Sequence, residues 1–492
     1  MIILWNNRIP FAVALLLLSS CAVGPDYERP EVLKYSGMKD DSFQVKLTLV
    51  DSLPEPIALG ETQKFVRNSV QVEWWKSFES EKLNQLVEQA LKSSPTLQAA
   101  EAKLEQAKQT YEAQAGSSLY PQVSLDAGGS RQRINKAAFG LTNDSSTYTL
   151  YNAGLNLGYN FDLFGSNRRL LESLAAETEY QRYQFEAARL SLIANMVSAA
   201  MVQAQLSEQL TANQKILQVL EEQLEMTKQR FALGAAGQSD VSVLENSVEQ
   251  FRANIPQLQS GLAKQQHVLA LLIGQVPNSH QVPSFILADF TLPQELPMLI
   301  PSELLEQRPD ILASEALVQS ANAKYGMSVS RMYPQLNLSA NVGSQALTTA
   351  GLFGAQTLVW GLAGQLTQPL FNAGLPAESR AAKAGYEAVA ANYRQTVLQA
   401  FQGVADVLSA LDYDAQSLNA QVKAMQAAEQ TTKLVQQEHE AGAASYAQVL
   451  ASKQELEQTR VALIAAQTRR MVDTTALYQA MGGGTFSVVA SE

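Results

Sequence analysis

One stretch decides the fold: Ala153-Gly154-Leu155-Asn156-Leu157-Gly158-Tyr159-Asn160-Phe161-Asp162-Leu163. Every odd-numbered residue in it is apolar or aromatic, and every residue between them is Gly, Asn or Asp. Strict alternation over this length predicts a β-strand with one apolar face. A membrane-spanning strand needs ~9–11 residues and has this pattern, with apolar side chains toward lipid and polar ones toward a lumen. The pattern therefore predicts a lipid-facing set (Leu155, Leu157, Tyr159, Phe161) and a lumen-facing set (Asn156, Asn160).

Three further stretches alternate more weakly, and they bring the predicted strands to four, near residues 121–131, 148–163, 333–345 and 355–371. Four strands cannot close a barrel, and an open sheet edge is not stable in hydrocarbon. Because the smallest membrane barrels have about eight strands, the chain must assemble with other copies to span a membrane. The residues alone do not determine whether two, three or four copies form the barrel. They also leave open a soluble β-hairpin with one buried face, although a secretory signal favours the membrane.

The first residues are typical of such a signal. Arg8 precedes the apolar run Phe11–Leu18, which is too short for a bilayer, since a spanning helix needs ~20 apolar residues. Small residues then lead to Cys21, the only cysteine in the chain, with a spacing that resembles a bacterial lipobox. We therefore expect residues 1–20 to be removed and the Cys21 thiol to carry lipid; a stray cysteine after an ordinary signal is the alternative. Ala22 favours outer-membrane sorting, because an Asp there would resemble an inner-membrane retention signal.

The chain also contains an internal duplication. Three motifs recur in the same order: Tyr120-Pro121-Gln122 as Tyr333-Pro334-Gln335, Leu163-Phe164 as Leu370-Phe371, and Gly234-Ala235-Ala236 as Gly442-Ala443-Ala444. Such order predicts a duplicated fold, with a first repeat at 81–276 and a second at 302–481. Between them lies a proline-rich segment, 277–301, which cannot form a long helix and is predicted to be an extended linker.

Each repeat is predicted to contain a long helical hairpin. Helix-forming residues without proline run from about 166 to 233 and from about 377 to 441. A helix of ~68 residues would be ~100 Å long, and apolar residues spaced by three and four predict coiled-coil packing. Pro256 is expected to kink the following helix or mark a junction. The turns at 233–240 and 441–448 form predicted tips, with Ser239 and Asp240 as possible helix caps. The tip residues are Gly234, Gly237, Asp240, Gly442 and Ser445.

Composition argues against several functions. The chain has 36 Lys and Arg against 47 Asp and Glu, a net charge of −11, so it lacks the basic surface that binds nucleic acid. One cysteine and three scattered histidines predict no metal site, no nucleophilic catalysis and no cofactor besides lipid at Cys21. His439 is more simply explained as part of a solvated face. Trp74 and Trp75 fit either an interfacial belt or a buried anchor, and residues 482–492 are predicted to be a flexible tail.

At this point the chain resembles the TolC-like outer-membrane factors, in particular their NodT-type efflux lipoproteins. The resemblance implies a mainly α fold with a membrane β-barrel part, in which each repeat has a helix, a β-hairpin and a long helical hairpin. It implies a homotrimer whose twelve-stranded β-barrel continues into a periplasmic α-helical barrel, with 21–80 as a lipid-anchored equatorial segment. The motifs that carry the resemblance are Cys21–Tyr27, Trp75–Phe78, Asp162–Gly165, Leu271–Gly274, Arg308–Asp310 and Pro369–Gly374.

The same resemblance implies the function of a passive outer-membrane duct for small molecules, and not an enzyme. An inner-membrane pump of the RND type would supply energy through a periplasmic adaptor docked on the tips. Ala444, Gln448 and Ala451 stand where some members carry Arg or Asp, so a salt-bridged latch is not carried over. Two alternatives stay open: the outlet of a type I protein secretion system, and a lipid-anchored periplasmic coiled-coil scaffold without a pore.

Overall fold

A computed structural model describes residues 23–30, 63–66, 70–135, 145–277, 282–299, 301–354 and 356–484. Cys21 and the predicted signal peptide lie outside these residues, as do residues 485–492. The described chain divides into two compact units. We call the first the sheet unit, within Met1–Pro30, Lys103–Arg182 and Ala313–Arg394. The second is the helix unit, within Glu31–Ala102, Tyr183–Leu312 and Gln395–Glu492.

The sheet unit contains four antiparallel strands in the order β2-β3-β5-β6. In this sheet Leu157 lies opposite Val123 on β2 and Ala340 on β5, and the two repeats pair through β3 and β5. The strands overlap the four stretches of alternating sequence, but β2 continues to Asn135 and β6 is shorter than the 355–371 region. Their bounds are β2 Gln122–Asn135, β3 Ser145–Phe161, β5 Gln335–Ala346 and β6 Leu358–Thr367.

Two glycines face each other where the repeats meet. Gly154 on β3 pairs with Gly343 on β5. A Cβ added at Gly154 would lie 2.8 Å from the Val342 carbonyl oxygen, and one added at Gly343 would lie 2.6 Å from the Ala153 carbonyl oxygen. Side chains have no room there, so the close approach of the strands requires glycine on both.

Eight α-helices are described, and two of them are very long. The helices α3 and α7 have 67 residues each and are therefore about 100 Å long. Each is followed by a 35-residue helix, α4 or α8, across a short turn. The full set is α1 Glu81–Ser93, α2 Pro95–Leu119, α3 Ser166–Ala232, α4 Gln238–Leu272, α5 Pro301–Gln307, α6 Pro309–Ser330, α7 Gly374–Glu440 and α8 Tyr446–Ala480.

The predicted coiled-coil packing is present in the helix unit. Ile216 and Leu220 of α3 pack with Val248 of α4, and Leu217, Leu224 and Phe251 surround them. In the second hairpin Leu418 and Val422 of α7 pack with Ala466 of α8. Pro256 lies inside α4 and does not end it, so of the two predicted alternatives the junction is wrong, and the kink stays a prediction. The α3 helix is long and apolar enough to cross a membrane by composition, but its Met196, Val197 and Met201 are fully buried in the helix unit.

The core of the helix unit decides two open questions. Trp74 and Trp75 are each 1% exposed, and Trp74 stacks on Tyr478 at 5.2 Å, so these residues are a buried anchor and not a belt. Gly482–Gly484 are also buried, and a Cβ at Gly484 would lie 2.8 Å from Gln71 backbone atoms. The predicted flexible tail is therefore wrong for these three residues, because tight packing against backbone orders them.

The linker between the repeats agrees with its proline content. Its described residues contain a 3₁₀ turn, Leu287–Asp289, and a short strand β4, Glu295–Pro297. The strand pairs in parallel with β1, Lys64–Val66. Proline prevents a helix but permits extended backbone. The linker therefore packs in the helix unit through the pairing of β4 with β1.

Candidate functional site

One face of the sheet is apolar, and most of its large side chains are exposed. Leu157 and Phe161 are 37% and 42% exposed, Trp360 is 76% exposed, and the half-buried Tyr159 contacts Phe161 edge-on. Exposure of apolar surface to water costs about 25 cal/mol per Å², so a contiguous face of this kind marks a membrane or protein contact. The exposed apolar set is Val123, Leu125, Leu155, Leu157, Phe161, Leu338, Val342, Leu358, Trp360, Leu362 and Leu366.

The opposite face of the same sheet is polar. Asn156 donates a hydrogen bond from Nδ2 to the Asp126 carboxylate, and it pairs in register with Asn341. Asn160 pairs in register with Asn337 on this face. The structure thus places the predicted lipid-facing and lumen-facing sets on opposite faces, although their environments stay predictions. Because β2 and β6 lie at the ends of the strand order, they offer backbone edges for further pairing.

The first tip joins α3 to α4. Leu233 follows α3, and Gly234 adopts a left-handed φ of 72°, after which the Ala235 N–H donates to the Arg230 carbonyl at 2.7 Å. Glycine suits this conformation because other residues lose energy there. Gly237 is the N-cap of α4, and its N–H donates to Asp240 Oδ2 at 2.9 Å. Ser239 is therefore not the cap, and Asp240 acts from the third helical position.

The second tip has the same design with a better cap. Gly442 has a φ of 77°, and the Ala443 N–H donates to the Glu438 carbonyl at 2.7 Å. Ser445 caps α8: its Oγ accepts from the Gln448 N–H at 3.4 Å, while its own N–H donates to Gln448 Oε1 at 2.8 Å. This reciprocal pair is a capping box.

A contact that the sequence pattern did not predict links the two hairpins. The Tyr446 hydroxyl at the start of α8 donates to Glu222 on α3. That carboxylate, more than burial, raises the pKa of Tyr446. His439 lies beside it: its Nδ1 is 2.9 Å from the Ala444 carbonyl oxygen, and its ring is 5.5 Å from that of Tyr446. Among the described residues there is no cluster that could hold a metal ion.

A carboxyl pair that the sequence pattern did not predict lies in the second hairpin, and one of its two members is buried. Asp414 of α7 is 6% exposed and interacts with Asp473 of α8. Burial, followed by the hydrogen bond and repulsion from Asp473, raises the pKa of Asp414 to about 7, while Arg469 and Arg470 oppose the shift. Arg470 Nε donates to Gln63 Oε1 at 3.0 Å, so α8 contacts the segment that contains β1.

We expect Asp414→Asn to stabilise the protein above neutral pH. The raised pKa means that the folded state favours the protonated carboxyl, so wild-type stability falls as pH rises from about 4 toward 7. The amide cannot ionise, so the variant should lose this dependence and unfold a few degrees higher than wild type at pH 8, with little difference at pH 4. Thermal unfolding at both pH values measures this. Asp406→Asn removes an exposed carboxylate from the same helix and is the control; equal pH profiles for wild type and Asp414→Asn would contradict the prediction.

In the sheet unit, residues 23–30 form a strap that the sequence pattern did not predict. The Val23 N–H donates to the Phe164 carbonyl at 3.1 Å, just after β3. Arg169, buried on α3, donates to Asp26 Oδ1 at 2.8 Å, and Asn322 of α6 donates to the Pro25 carbonyl at 3.2 Å. A Cβ at Gly24 would lie 2.7 Å from the Cα of Gly326. The strap is thus fixed against α3 and α6 by charge, hydrogen bonds and close backbone packing.

Comparisons with known proteins agree with this geometry. The family described as "Outer membrane efflux protein" matches residues 86–275 and 300–483. The toluene efflux pump outer membrane protein TtgC of Pseudomonas putida is 29% identical over 483 residues, which cover 97% of this chain and 96% of that protein. The pyoverdine export outer membrane protein OpmQ of Pseudomonas aeruginosa is 30% identical, over 84% of this chain and 87% of that protein. The solved outer-membrane channel OprN is 26% identical with a TM-score of 0.80, over 94% of this chain and 99% of that one.

Proposed function

The chain belongs to the outer membrane efflux protein family, and from this membership we propose that it is the trimeric outer-membrane duct of a tripartite pump for small molecules. It is an outer-membrane protein, and its relatives are outer-membrane components of efflux pumps. The relatives' names include toluene efflux and pyoverdine export. Substrates of such different chemistry fit a duct whose partner pump selects the cargo.

The observation that carries the proposal is the four-stranded sheet with one apolar face, one polar face and two open edges. In hydrocarbon every backbone group must be paired, so the edges of β2 and β6 have to meet those of other copies. Two copies would give eight strands, whose interior is just filled by side chains. Three copies give twelve strands and leave room for a water-filled path. We therefore favour the trimer over the dimer.

The strap supports a lipid anchor at Cys21. Val23, which follows Cys21 by two positions in the sequence, donates its N–H to the Phe164 carbonyl just after the end of β3. Acyl chains on the thiol would then enter the membrane next to the strands that span it. Several chains at ~0.8 kcal/mol per buried CH₂ hold a protein firmly in a membrane.

In the proposed mechanism the protein supplies a path and no catalytic step or cofactor. Energy comes from an inner-membrane pump, and a periplasmic adaptor docks on the tips, where Phe231, Leu233 and Val243 expose apolar surface. Adaptor contacts can open the duct only by binding the open arrangement of the hairpins more tightly than the closed one. The Tyr446–Glu222 hydrogen bond joins two hairpins that such a change would separate.

Partner capture in living cells tests the proposal. A photoreactive amino acid at Leu233 should cross-link a periplasmic adaptor that copurifies with a proton-driven pump, and mass spectrometry identifies both. The same probe at Trp360, on the lipid-facing side, should capture no adaptor. Capture of an adaptor with an ATP-driven exporter would support protein secretion instead. Finding neither a partner nor a self-oligomer would contradict the channel and favour the scaffold.

A further inference from the structure

The loop between β5 and β6 folds over the apolar face of the sheet. Ser344 Oγ lies 2.6 Å from the Leu352 carbonyl oxygen and 2.7 Å from Thr357 Oγ1. Ser344 shares its face with Val342 and pairs with Leu358, because side chains alternate along an unbroken strand. Consistently, a Cβ at Gly351 in the loop would come within 3.0 Å of the Ala346 Cβ, on the same face.

This loop has the composition of a lipid-contacting element. The sequence contains no charged residue between Arg331 and Glu378. Within the loop a 3₁₀ turn, Ala350–Phe353, presents Phe353 at 94% exposure, and Leu347 is 63% exposed. The turn contacts β5 and β3, the two inner strands of the sheet. Other copies of the chain would join at the edge strands, whereas this loop lies over the inner strands. In a membrane the loop would therefore contact lipid and not a second copy.

Two arginines lie on the same face farther along the sheet. Arg131 and Arg133 alternate in step with Leu125 on β2, and the Arg133 guanidinium donates to Ser145 Oγ at 2.7 and 3.0 Å. Both arginines are exposed, and within the described part of the chain neither has an ion-pair partner. Cations at a membrane surface attract anionic lipid groups, at about 1 kcal/mol for each Lys or Arg.

The strand register gives the relative depth of the two features. Ala346 under the loop is level with Tyr151, whereas Arg131 and Arg133 are level with Thr149 and Thr147. At ~3.3 Å per residue, the arginines are about 7 and 13 Å farther along β3, away from the helices. An amphipathic lipid needs this order, with acyl chains at the deeper level and phosphates beyond them.

We infer that this surface binds a phosphate-bearing lipid of the outer leaflet, with acyl chains against Leu347 and Phe353 and phosphate on Arg131 and Arg133. The inference rests on the proposed function, because it requires the sheet to span a membrane with the β5–β6 loop on the outer side. The neighbouring helices then lie on the periplasmic side, which gives the phosphates the outer-leaflet position.

Binding of diphosphorylated lipid A to the purified trimer tests the phosphate contacts. Because each surface cation strengthens binding of anionic lipid about fivefold, Arg131→Gln with Arg133→Gln should raise the Kd about twenty-five-fold. Arg380→Gln with Lys383→Gln removes two exposed cations from α7 and is the matched control. An unchanged Kd in the Arg131 and Arg133 variant, or an equal loss in the control, would overturn the inference.

Spin labels in proteoliposomes test the loop. With Cys21 consumed by lipid, Phe353→Cys offers a single thiol, and the unsubstituted protein gives the labelling background. A label at Phe353 should be reached more readily by oxygen than by a water-soluble nickel chelate, as should a label at Trp360→Cys. Greater nickel access at Phe353, with Trp360 in lipid, would overturn this inference alone. Greater nickel access at Trp360 would contradict the membrane barrel itself.

Discussion

Replacing Leu157 by lysine should abolish assembly of the barrel and with it all efflux. Leu157 is the centre of the apolar run from Ala153 to Phe161, so in a spanning sheet it lies near the middle of the bilayer. Its neighbours across the strands are Val123 and Ala340, and neither can neutralise an ammonium group. The charge would therefore remain in hydrocarbon.

The size of the effect follows from symmetry. A lysine at the midplane of a membrane barrel costs about 2–4 kcal/mol, and three copies would carry three such charges, or about 6–12 kcal/mol per trimer. A loss of that size is comparable with the whole folding stability of many domains. We expect no trimer in the outer-membrane fraction on mild-detergent gels and substrate susceptibility equal to that of a deletion strain.

The matched control is Asn160→Lys, on the opposite face of the same strand. In a water-filled lumen its charge is solvated, so trimers should form and only conductance should change. Assembly of Leu157→Lys at wild-type levels would contradict a membrane-spanning sheet and agree with a scaffold whose sheet faces water. If neither variant assembled, the strand would be intolerant of lysine on either face, which would contradict the predicted difference between a lipid-facing and a lumen-facing side.

Two local signals, the spacing of apolar residues and the glycines at turns, account for the part of the fold that the sequence predicts. The alternation from Ala153 to Leu163 predicts a strand, and most of it lies in β3. The glycines at 234 and 442 predict turns, and both adopt left-handed φ at the tips. Both signals are local, so they can be recognised in the sequence alone. The duplication predicts two strands and a long helical hairpin in each repeat, and the structure has β2 and β3 in the first repeat and β5 and β6 in the second. The number of copies in the assembly is not visible in any local pattern, so the prediction of a trimer depends on the family resemblance.

Contacts between distant residues account for what the sequence did not reveal. Tyr446 and Glu222 are 224 residues apart, and no periodicity connects them. The Asp414–Asp473 pair likewise depends on the rotation of α7 against α8. A glycine run usually lacks packing, so the sequence predicts a flexible tail at Gly482–Gly484, yet here the lack of side chains allows close approach to Gln71. Local composition cannot distinguish these two uses of glycine.

Replacing Leu233 by glutamate should abolish efflux while leaving the trimer intact. Leu233 is 83% exposed at the first tip, so its side chain contributes little to packing within the chain. Trimer assembly should therefore be unchanged, as measured by outer-membrane yield and heat stability. Docking of an adaptor should fail, because a carboxylate buried in an apolar contact without a partner costs several kcal/mol.

The expected magnitude again depends on the number of tips. A central interface residue contributes ~2 kcal/mol or more, so loss at each of three tips would reduce adaptor affinity by well over a thousandfold. Cross-linking to the adaptor and substrate susceptibility are the two measurements, and Leu233→Met, which keeps the apolar volume, is the control. Normal efflux by Leu233→Glu with an intact trimer would exclude the first tip as a docking surface. Docking would then have to use the second tip, where Ser445 and Tyr446 begin α8, because that is the other turn joining a pair of long helices.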